Sequence, residues 1–463
     1  MRPVACTISR RHVLQAAAVL PLAAALPRGA RAAPSVAGDV LLIVMSDLHS
    51  PYRRLPAILS AVRAIAAANP GRPMAILING DVFERGNVAA LRSRAAADWM
   101  FLEALAREAP VVLNLGNHET AILDDMASLP PEAAARGVAL VSNLIDARTG
   151  RLFAPAVQRL ALGGRRLAVV GLATDNPFVY RQPVRDTLVL VDPVDHAEAA
   201  LAPLSAGADA TVVLSHAGVV ADKAILPGLA DGTLLVGGHD HLSFEHAAGA
   251  TRYVHTGSWG AELAVVGIGF AEGADPRIDL AHHAVGVADD ADPDLAAAID
   301  AILAEHLTEA DRVVIADLDR ARDLPESILL ATEAVRAAAE ADVAFLGHTT
   351  FGAPLAAGPL TAYDFDAFVR FDGDIRVAEV DGATLAAMLA RANQHRAASL
   401  DARTGDFVHA AEIAVDPGAR YRVAVNGWTA TNQEAYLGTR DIAFVPVEGL
   451  ALKAVVAEAL GRL

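Results

Sequence analysis

Seven side chains of the kinds that bind divalent cations stand directly behind apolar runs in the first half of the chain. Asp47 and His49 follow Leu41-Leu42-Ile43-Val44-Met45, and Asp81 follows Ala75-Ile76-Leu77-Ile78. Asn117 follows Val111-Val112-Leu113, His216 follows Val212-Val213-Leu214, and His239 and His241 follow Leu234-Leu235-Val236. Short apolar runs of this kind mark strands buried on both faces. In a parallel sheet the carboxyl ends of neighbouring strands open on one crevice, so ligands placed there converge. Such a crevice would hold two cations about 3.5–4 Å apart, the spacing that clamps a phosphoryl group during in-line displacement. Asp47 and His49 are two residues apart, so in an extended segment both point to the same side and reach one cation. Asp81 has two carboxylate oxygens and suits a bridging position. Mixed nitrogen and oxygen donors suit Mn, Fe, Zn or Co better than Ca or Mg alone. Gly80, Gly116, Gly237 and Gly238 lie beside the ligands, where the chain must turn sharply.

A lone Asp-x-His is usually a surface loop. Five pieces in this order, each behind an apolar run, are far more specific. They resemble the calcineurin-like metallophosphoesterase superfamily. The resemblance implies that Asp47, His49, Asp81 and His241 bind one metal, and that Asp81, Asn117, His216 and His239 bind the other. It implies a water of lowered pKa as the nucleophile. It also implies that His118 stabilises the transition state or protonates the leaving oxygen. The expected fold is α/β: an N-terminal β-sandwich flanked by helices (αββα) over residues 39–285, a linker over 286–325, and a smaller α/β domain over 326–463.

The second half resembles the substrate domain of bacterial periplasmic 5′-nucleotidases. The resemblance rests on Leu360-Thr361-Ala362-Tyr363-Asp364-Phe365 through Phe371, on Val377–Leu389, and on Tyr421–Asn426 through Tyr436. Three departures stand out. The family's Asn-x-Gly-x-x-Arg loop, whose arginine helps hold phosphate, is here Gly347-His348-Thr349-Thr350-Phe351-Gly352, with Gly352 in the arginine's place. Arg370 and Arg376 are the candidates to restore anion binding. The family's Gly-Gly-Asp-Gly-Tyr is here Asn432-Gln433-Glu434-Ala435-Tyr436. Ala121 stands where an aspartate usually orients the catalytic histidine, with Asp124 and Asp125 as nearby substitutes. Two aromatics sandwich a nucleobase in this branch. Trp428 matches one by its offset from Tyr436, and Phe407 is the looser candidate for the other; core packing is the alternative for each. His348 is read as a loop polar residue or a substrate contact, and His255 as a supporting one.

At 463 residues the chain is long enough for two domains, and 54% hydrophobic against 20% charged residues makes it globular. Ser9-Arg10-Arg11-His12-Val13-Leu14 precedes an apolar stretch, Ala16–Leu26, and a small-residue site at Ala30-Arg31-Ala32. This is the pattern of a twin-arginine leader over residues 1–32, removed on export to the periplasm and leaving no stable membrane anchor. Cys6 is the only cysteine and lies in that leader, so no disulfide or thiolate site is expected in the mature protein. The net charge of −17 disfavours a nucleic-acid polymer as partner, while a metal pair reverses the field locally for a small anion. The expected activity is hydrolysis of a phosphate ester or anhydride of a small molecule, foremost a nucleotide, with two divalent cations as cofactors. Cyclic nucleotides, nucleotide sugars or a sulfur ester are the alternative substrates, and a non-catalytic binding protein is the alternative class. Replacing Arg10 and Arg11 with lysines should block export. Mass spectrometry of the secreted wild-type chain should find its N-terminus close to residue 33, and an intact Met1 there would refute the leader.

Overall fold

The computed structural model describes residues 34–286, 290–397 and 399–463, so the expected leader lies outside the described residues. Two six-stranded sheets face each other in the first part of the chain. One runs, edge to edge, through Arg277–Ala284, Glu262–Gly269, Val40–Ser46, Met74–Asn79, Val111–Asn114 and Val138–Val141. The other runs through Ser243–Ala248, Thr251–Thr256, Leu234–Gly237, Ala210–His216, Arg165–Ala173 and Val157–Leu162. The central strands are parallel in both sheets, joined by crossovers that place helices on the outer faces. Antiparallel partners close both edges of the second sheet and one edge of the first, whose other edge strand, Val138–Val141, is parallel to its neighbour.

The period-two alternation of side chains explains why these runs contain almost no polar residue. From the first sheet Leu42, Val44, Leu77 and Val112 point inward, meeting Val169, Val212, Leu214 and Val236 of the second. Their neighbours Leu41, Ile43, Met45, Ile76 and Ile78 point outward under the helices Leu55–Ala68 and Ala96–Glu108. On the far side Leu172, Val213, Leu235 and Tyr253 pack beneath Val219–Ile225 and its neighbours. The result is the expected αββα order.

Two asparagines interrupt the apolar runs at the carboxyl ends of the strands. Asn79 Nδ2 donates to the Ser215 carbonyl at 2.8 Å and the Val236 carbonyl at 3.0 Å, both in the opposite sheet. Asn114 Nδ2 donates to the carbonyls of Leu172 at 2.7 Å and Leu214 at 2.9 Å. Both side chains are fully buried, so these bonds satisfy groups that would otherwise be costly, and they tie the two sheets together at one end.

The second part of the chain is a five-stranded mixed sheet in the order Val408–His409, Val343–Gly347, Arg420–Asn426, Asp374–Asp381 and Val445–Ala451. Leu324–Ala338 and Leu452–Leu460 cover one face through Ile328, Val335, Leu452 and Val456. Leu385 and Met388 of Gly382–Arg391 cover the other. Asp323 and Glu326 form a reciprocal capping box that starts Leu324–Ala338. The helix read from sequence as part of a linker is Pro293–His306, and it is not free-standing. Leu295, Ile299 and Leu303 enter the same core as the helices over the first sheet. The chain passes to the second part only after Leu307, and Val314–Leu318 already pairs with Gly358–Thr361.

The two parts are in close contact. Tyr363 Oη donates to Asn87 Oδ1 at 3.2 Å, Arg53 pairs with Asp364 at 3.2 Å, and Lys223 Nζ donates to the Arg403 carbonyl at 2.7 Å. Near this seam Asp98 is buried facing the Tyr52 and Ser50 hydroxyls, and burial pushes its carboxyl up to about 8. The unfolded chain releases that proton near pH 4 while the folded chain keeps it to about pH 8, so folding binds a proton across that window. Stability therefore falls as pH rises from about 4 to 8. Asp98→Asn should remove this loss: its melting temperature should come closest to wild type near pH 4 and exceed it increasingly towards pH 8, read by thermal denaturation across pH.

Candidate active site

The five ligand-bearing loops begin where the parallel strands end. Several ligands adopt left-handed backbone: Asp47 at φ 52°, His49 at 54°, Asp81 at 53°, His239 at 77° and His241 at 54°. For residues with a Cβ this costs on the order of 1–3 kcal/mol each, so the surroundings must hold it in place. They do so with backbone bonds between loops. Asp47 N–H donates to the Gly80 carbonyl at 3.1 Å, and His49 N–H to the Asp81 carbonyl at 2.9 Å. Glu119 accepts from Val82 N–H at 2.9 Å and Gly116 N–H at 2.7 Å. Gly116 is required by close approach, since a Cβ there would lie 2.3 Å from Asp81 Oδ1.

These loops gather all seven expected ligands. Asp47, His49 and His241 form one group with ligand atoms within 4.8 Å of one another, and Asp81, His216 and His239 form a second. Asp81 Oδ2 lies 3.2 Å from His216 Nε2 and 3.8 Å from His49 Nε2, between the two groups. Asn117 Oδ1 joins the second group, 3.0 Å from His239 Nδ1. His216 Nδ1 donates to the Asn79 carbonyl at 2.8 Å, which turns its Nε2 to the crevice, where that buried nitrogen has no hydrogen-bond partner. His49 Nε2 and His241 Nε2 face each other at 2.9 Å. Convergent ring nitrogens, an orphaned buried imidazole nitrogen and a carboxylate between the groups fit divalent cations with mixed nitrogen and oxygen ligation.

The electrostatics agree. Burial would lower His216, but Asp81 and then Asp47 outweigh it and raise the imidazole to about 10. Burial, with Arg370 next, lowers His49 to about 3; burial, with His216 next, lowers His239 to about 4. The crevice therefore draws positive charge to the carboxylates while leaving His49, His239 and His241 neutral, the form in which imidazole is a ligand.

His118 stands beside this cluster. Its N–H donates to Asp81 Oδ1 at 2.6 Å, and its ring meets His49 edge-on at 4.7 Å. Neither aspartate expected to orient it does so: Asp125 is engaged by Arg148 at 2.6 Å, and Asp124 lies exposed towards Arg181. Glu84 is the acid that approaches, with Oε2 at 3.6 Å from His118 Nδ1 and 3.4 Å from His49 Nδ1. Sequence reading missed Glu84. The available signal was an acid three residues beyond Asp81, behind the apolar pair Val82-Phe83. Arg370 reaches across from the second part of the chain and pairs with Glu84.

The two expected base-stacking aromatics differ in setting. Trp428 is 55% exposed, with Nε1 donating to Tyr436 Oη at 3.2 Å. Phe407 is 3% exposed and stacks on His348 at 4.0 Å, and it fills the core beneath the second sheet. Its ring is committed to packing, which removes it as a base-stacking face. His348 is enclosed with it, 2.9 Å from the Asp240 carbonyl, and His255 bonds to Tyr253 Oη at 2.7 Å outside the ligand set. Gly352 has no room for a side chain, because a Cβ would lie 2.3 Å from the Trp259 ring.

Residues 40–243 match the calcineurin-like phosphoesterase family, and residues 309–439 match the 5′-nucleotidase C-terminal domain. The chain joins a calcineurin-like phosphoesterase domain to a 5′-nucleotidase C-terminal domain. It is accordingly a metal-dependent phosphoester hydrolase. The 5′-nucleotidase precursor of Thermus thermophilus is 19% identical, with TM-score 0.60 over 91% of this chain and 96% of that one. The sulfate thiohydrolase SoxB of Thermus thermophilus is 20% identical, with TM-score 0.62 over 93% and 95%. A 5′-nucleotidase of Candida albicans is 12% identical, with TM-score 0.59 over 94% and 99%. These likenesses establish a common two-domain fold. Among curated proteins none matches the sequence. No helix among the described residues is long and apolar enough to cross a membrane. Asp81→Asn should lower the bound metal per chain, with affinity falling on the order of tenfold or more, as measured by elemental analysis after dialysis. Unchanged stoichiometry would remove Asp81 from the ligand set.

Proposed function

We propose that this phosphoesterase is a two-metal hydrolase acting on a phosphate ester or anhydride of a small molecule, foremost a nucleotide. The observation that carries the reading is the position of Asp81 between two ligand groups in one crevice, with His118 at its edge. Asp47, His49, Asp81 and His241 hold one cation; Asp81, Asn117, His216 and His239 hold the other. When bound, such a pair polarises the phosphoryl oxygens and supplies a water of lowered pKa. The protein's own groups do the rest. Asn79 fixes the His216 tautomer, and Glu119 fixes the loops on either side of Asp81 through backbone N–H groups. With Nδ1 turned to Glu84, His118 is left with Nε2 to give a proton to the departing oxygen. Trp428, held by Tyr436, offers an exposed ring on which a base stacks.

In this reading the catalytic domain runs from residue 39 through the helix Pro293–His306, beyond the limit of 285 read from sequence, and the substrate domain begins with Val314–Leu318 rather than at 326. The twin-arginine pattern supports export to the periplasm, and the acidic surface suits a small substrate over a polymer. One observation favours a second substrate class. Gly352, pressed against Trp259, leaves the usual arginine position without a charge, which admits esters other than nucleoside monophosphates, sulfur esters included. The complete ligand set speaks against a non-catalytic binding protein.

The test is release of phosphate by the Mn²⁺-loaded protein from nucleoside monophosphates, nucleotide sugars and cyclic nucleotides, and of sulfate from a thiosulfonate ester. Nucleoside monophosphates should turn over fastest, and a chelator should abolish turnover. Sulfate release alone would transfer the reading to sulfur esters; no release at full metal occupancy would end it.

A further inference from the structure

Arg370 and Glu84 form the most deeply buried ion pair between the two domains, with side chains 3% and 2% exposed. Taking two charges out of water costs several kcal/mol per ion, and the pair's attraction seldom returns more than an apolar contact would. A pair of this kind calls for a reason beyond stability. Its surroundings supply one. Glu84 Oε2 lies 3.4 Å from His49 Nδ1 and 3.6 Å from His118 Nδ1, so the arginine meets the crevice beside both a ligand and the proton donor. Arg370 Nη2 is itself 3.5 Å from His49 Nδ1.

The backbone explains how the arginine arrives there. Gly352 N–H donates to the Phe368 carbonyl at 2.9 Å, and Arg370 N–H donates to the Thr350 carbonyl at 3.0 Å, with Phe351 opposite Val369. The loop that lacks its arginine at Gly352 is thus paired, residue against residue, with the segment that ends in Arg370. The guanidinium is only partly used. Nη1 donates to the Thr349 carbonyl at 3.2 Å and Nη2 to Glu84, while the buried Nε has no partner. An arginine fork presents five donors in a plane, suited to two oxygens of a tetrahedral oxyanion.

Resting on the two-metal hydrolase reading, we infer that Arg370 grips the phosphoryl oxygens of the substrate, with Glu84 as the partner it leaves when substrate enters. The charge absent at Gly352 has been moved to the paired segment. Glu84, once released, is free to accept from His118 Nδ1, which lies 3.6 Å away without a hydrogen-bond partner, and so orients that ring.

The pair predicts opposite effects for its two members. On Mn²⁺-loaded protein, calorimetric titration with inorganic phosphate should show affinity weakened on the order of tenfold or more in Arg370→Gln, with Arg370→Lys in between, and KM for the best ester should rise in parallel. Glu84→Gln should bind phosphate more tightly than wild type, because the competing carboxylate is gone, while its kcat falls as His118 loses the carboxylate that faces Nδ1. Arg370→Gln leaves Glu84 buried without its cation, so the double variant Glu84→Gln, Arg370→Gln supplies a neutral, folded control that should still bind phosphate weakly. Wild-type phosphate affinity in either Arg370→Gln protein at full metal occupancy would overturn the inference, as would a wild type that binds no phosphate. Failure of wild type to hydrolyse any ester would sink the functional reading instead. The phosphate titration would still decide on Arg370: binding that weakens in Arg370→Gln upholds it, and binding that does not refutes it.

Discussion

The bonds that Asn79 and Asn114 make across the sandwich are the constraint on which the site depends. Each of these amides leaves one sheet and lands on strand-end carbonyls of the other. Asp47, His49, Asp81 and Asn117 belong to the first sheet, and His216, His239 and His241 to the second. A cation pair ligated from both sheets needs their carboxyl ends held within a few ångströms. Apolar contacts between Leu42, Val44, Val212 and Val236 hold the faces together but set no register, because hydrophobic burial is non-directional. Buried hydrogen bonds are directional and costly to break, so they set it. The Asn79 carbonyl then accepts from His216 Nδ1, carrying the same constraint into the ligand shell.

Above that pin, the crevice is a problem of charge. Asp47, Asp81, Glu84 and Glu119 are all buried within it, and isolated carboxylates at that depth would be prohibitive. The fold answers with several different devices. Backbone N–H groups meet Glu119, His216 sits against Asp81, and Arg370 comes from the other domain to meet Glu84. The first two come from the catalytic domain itself. The third exists only when the second domain is docked, which links the electrostatic state of the crevice to domain contact.

The second domain therefore does more than flank the catalytic one. Its Phe407 plugs the core under the second sheet, its Tyr363 bonds Asn87, and its Gly352 lies against Trp259, whose indole stacks on His49 at 5.9 Å. The helix Pro293–His306 is part of the catalytic domain's outer layer, so any change in domain angle is confined to the short stretch after Leu307.

Much of this was legible in the linear sequence. The apolar runs and the residue types that follow them predict alternating strands and helices with seven ligands at strand ends, which in a parallel sheet open on one side, while the αββα order was implied by the family resemblance those motifs carry. The alternation of helix and strand in the second half likewise determines an α/β domain. Pairings between distant loops were not legible, because they depend on which surfaces meet when the domains dock. Glu84 carries no local pattern that separates it from an exposed acid, and only its enclosure by His49, His118 and Arg370 gives it a role. Arg370 was one of two arginines equally placed by sequence; the pairing of its segment with the Gly352 loop chose it, while Arg376 is engaged by Asp374. Trp428 was placed by its offset from Tyr436 and Phe407 only loosely, with core packing open for both, and burial is what separates them. Local periodicity is written in neighbouring residues, whereas burial and charge pairing are properties of the assembled surfaces.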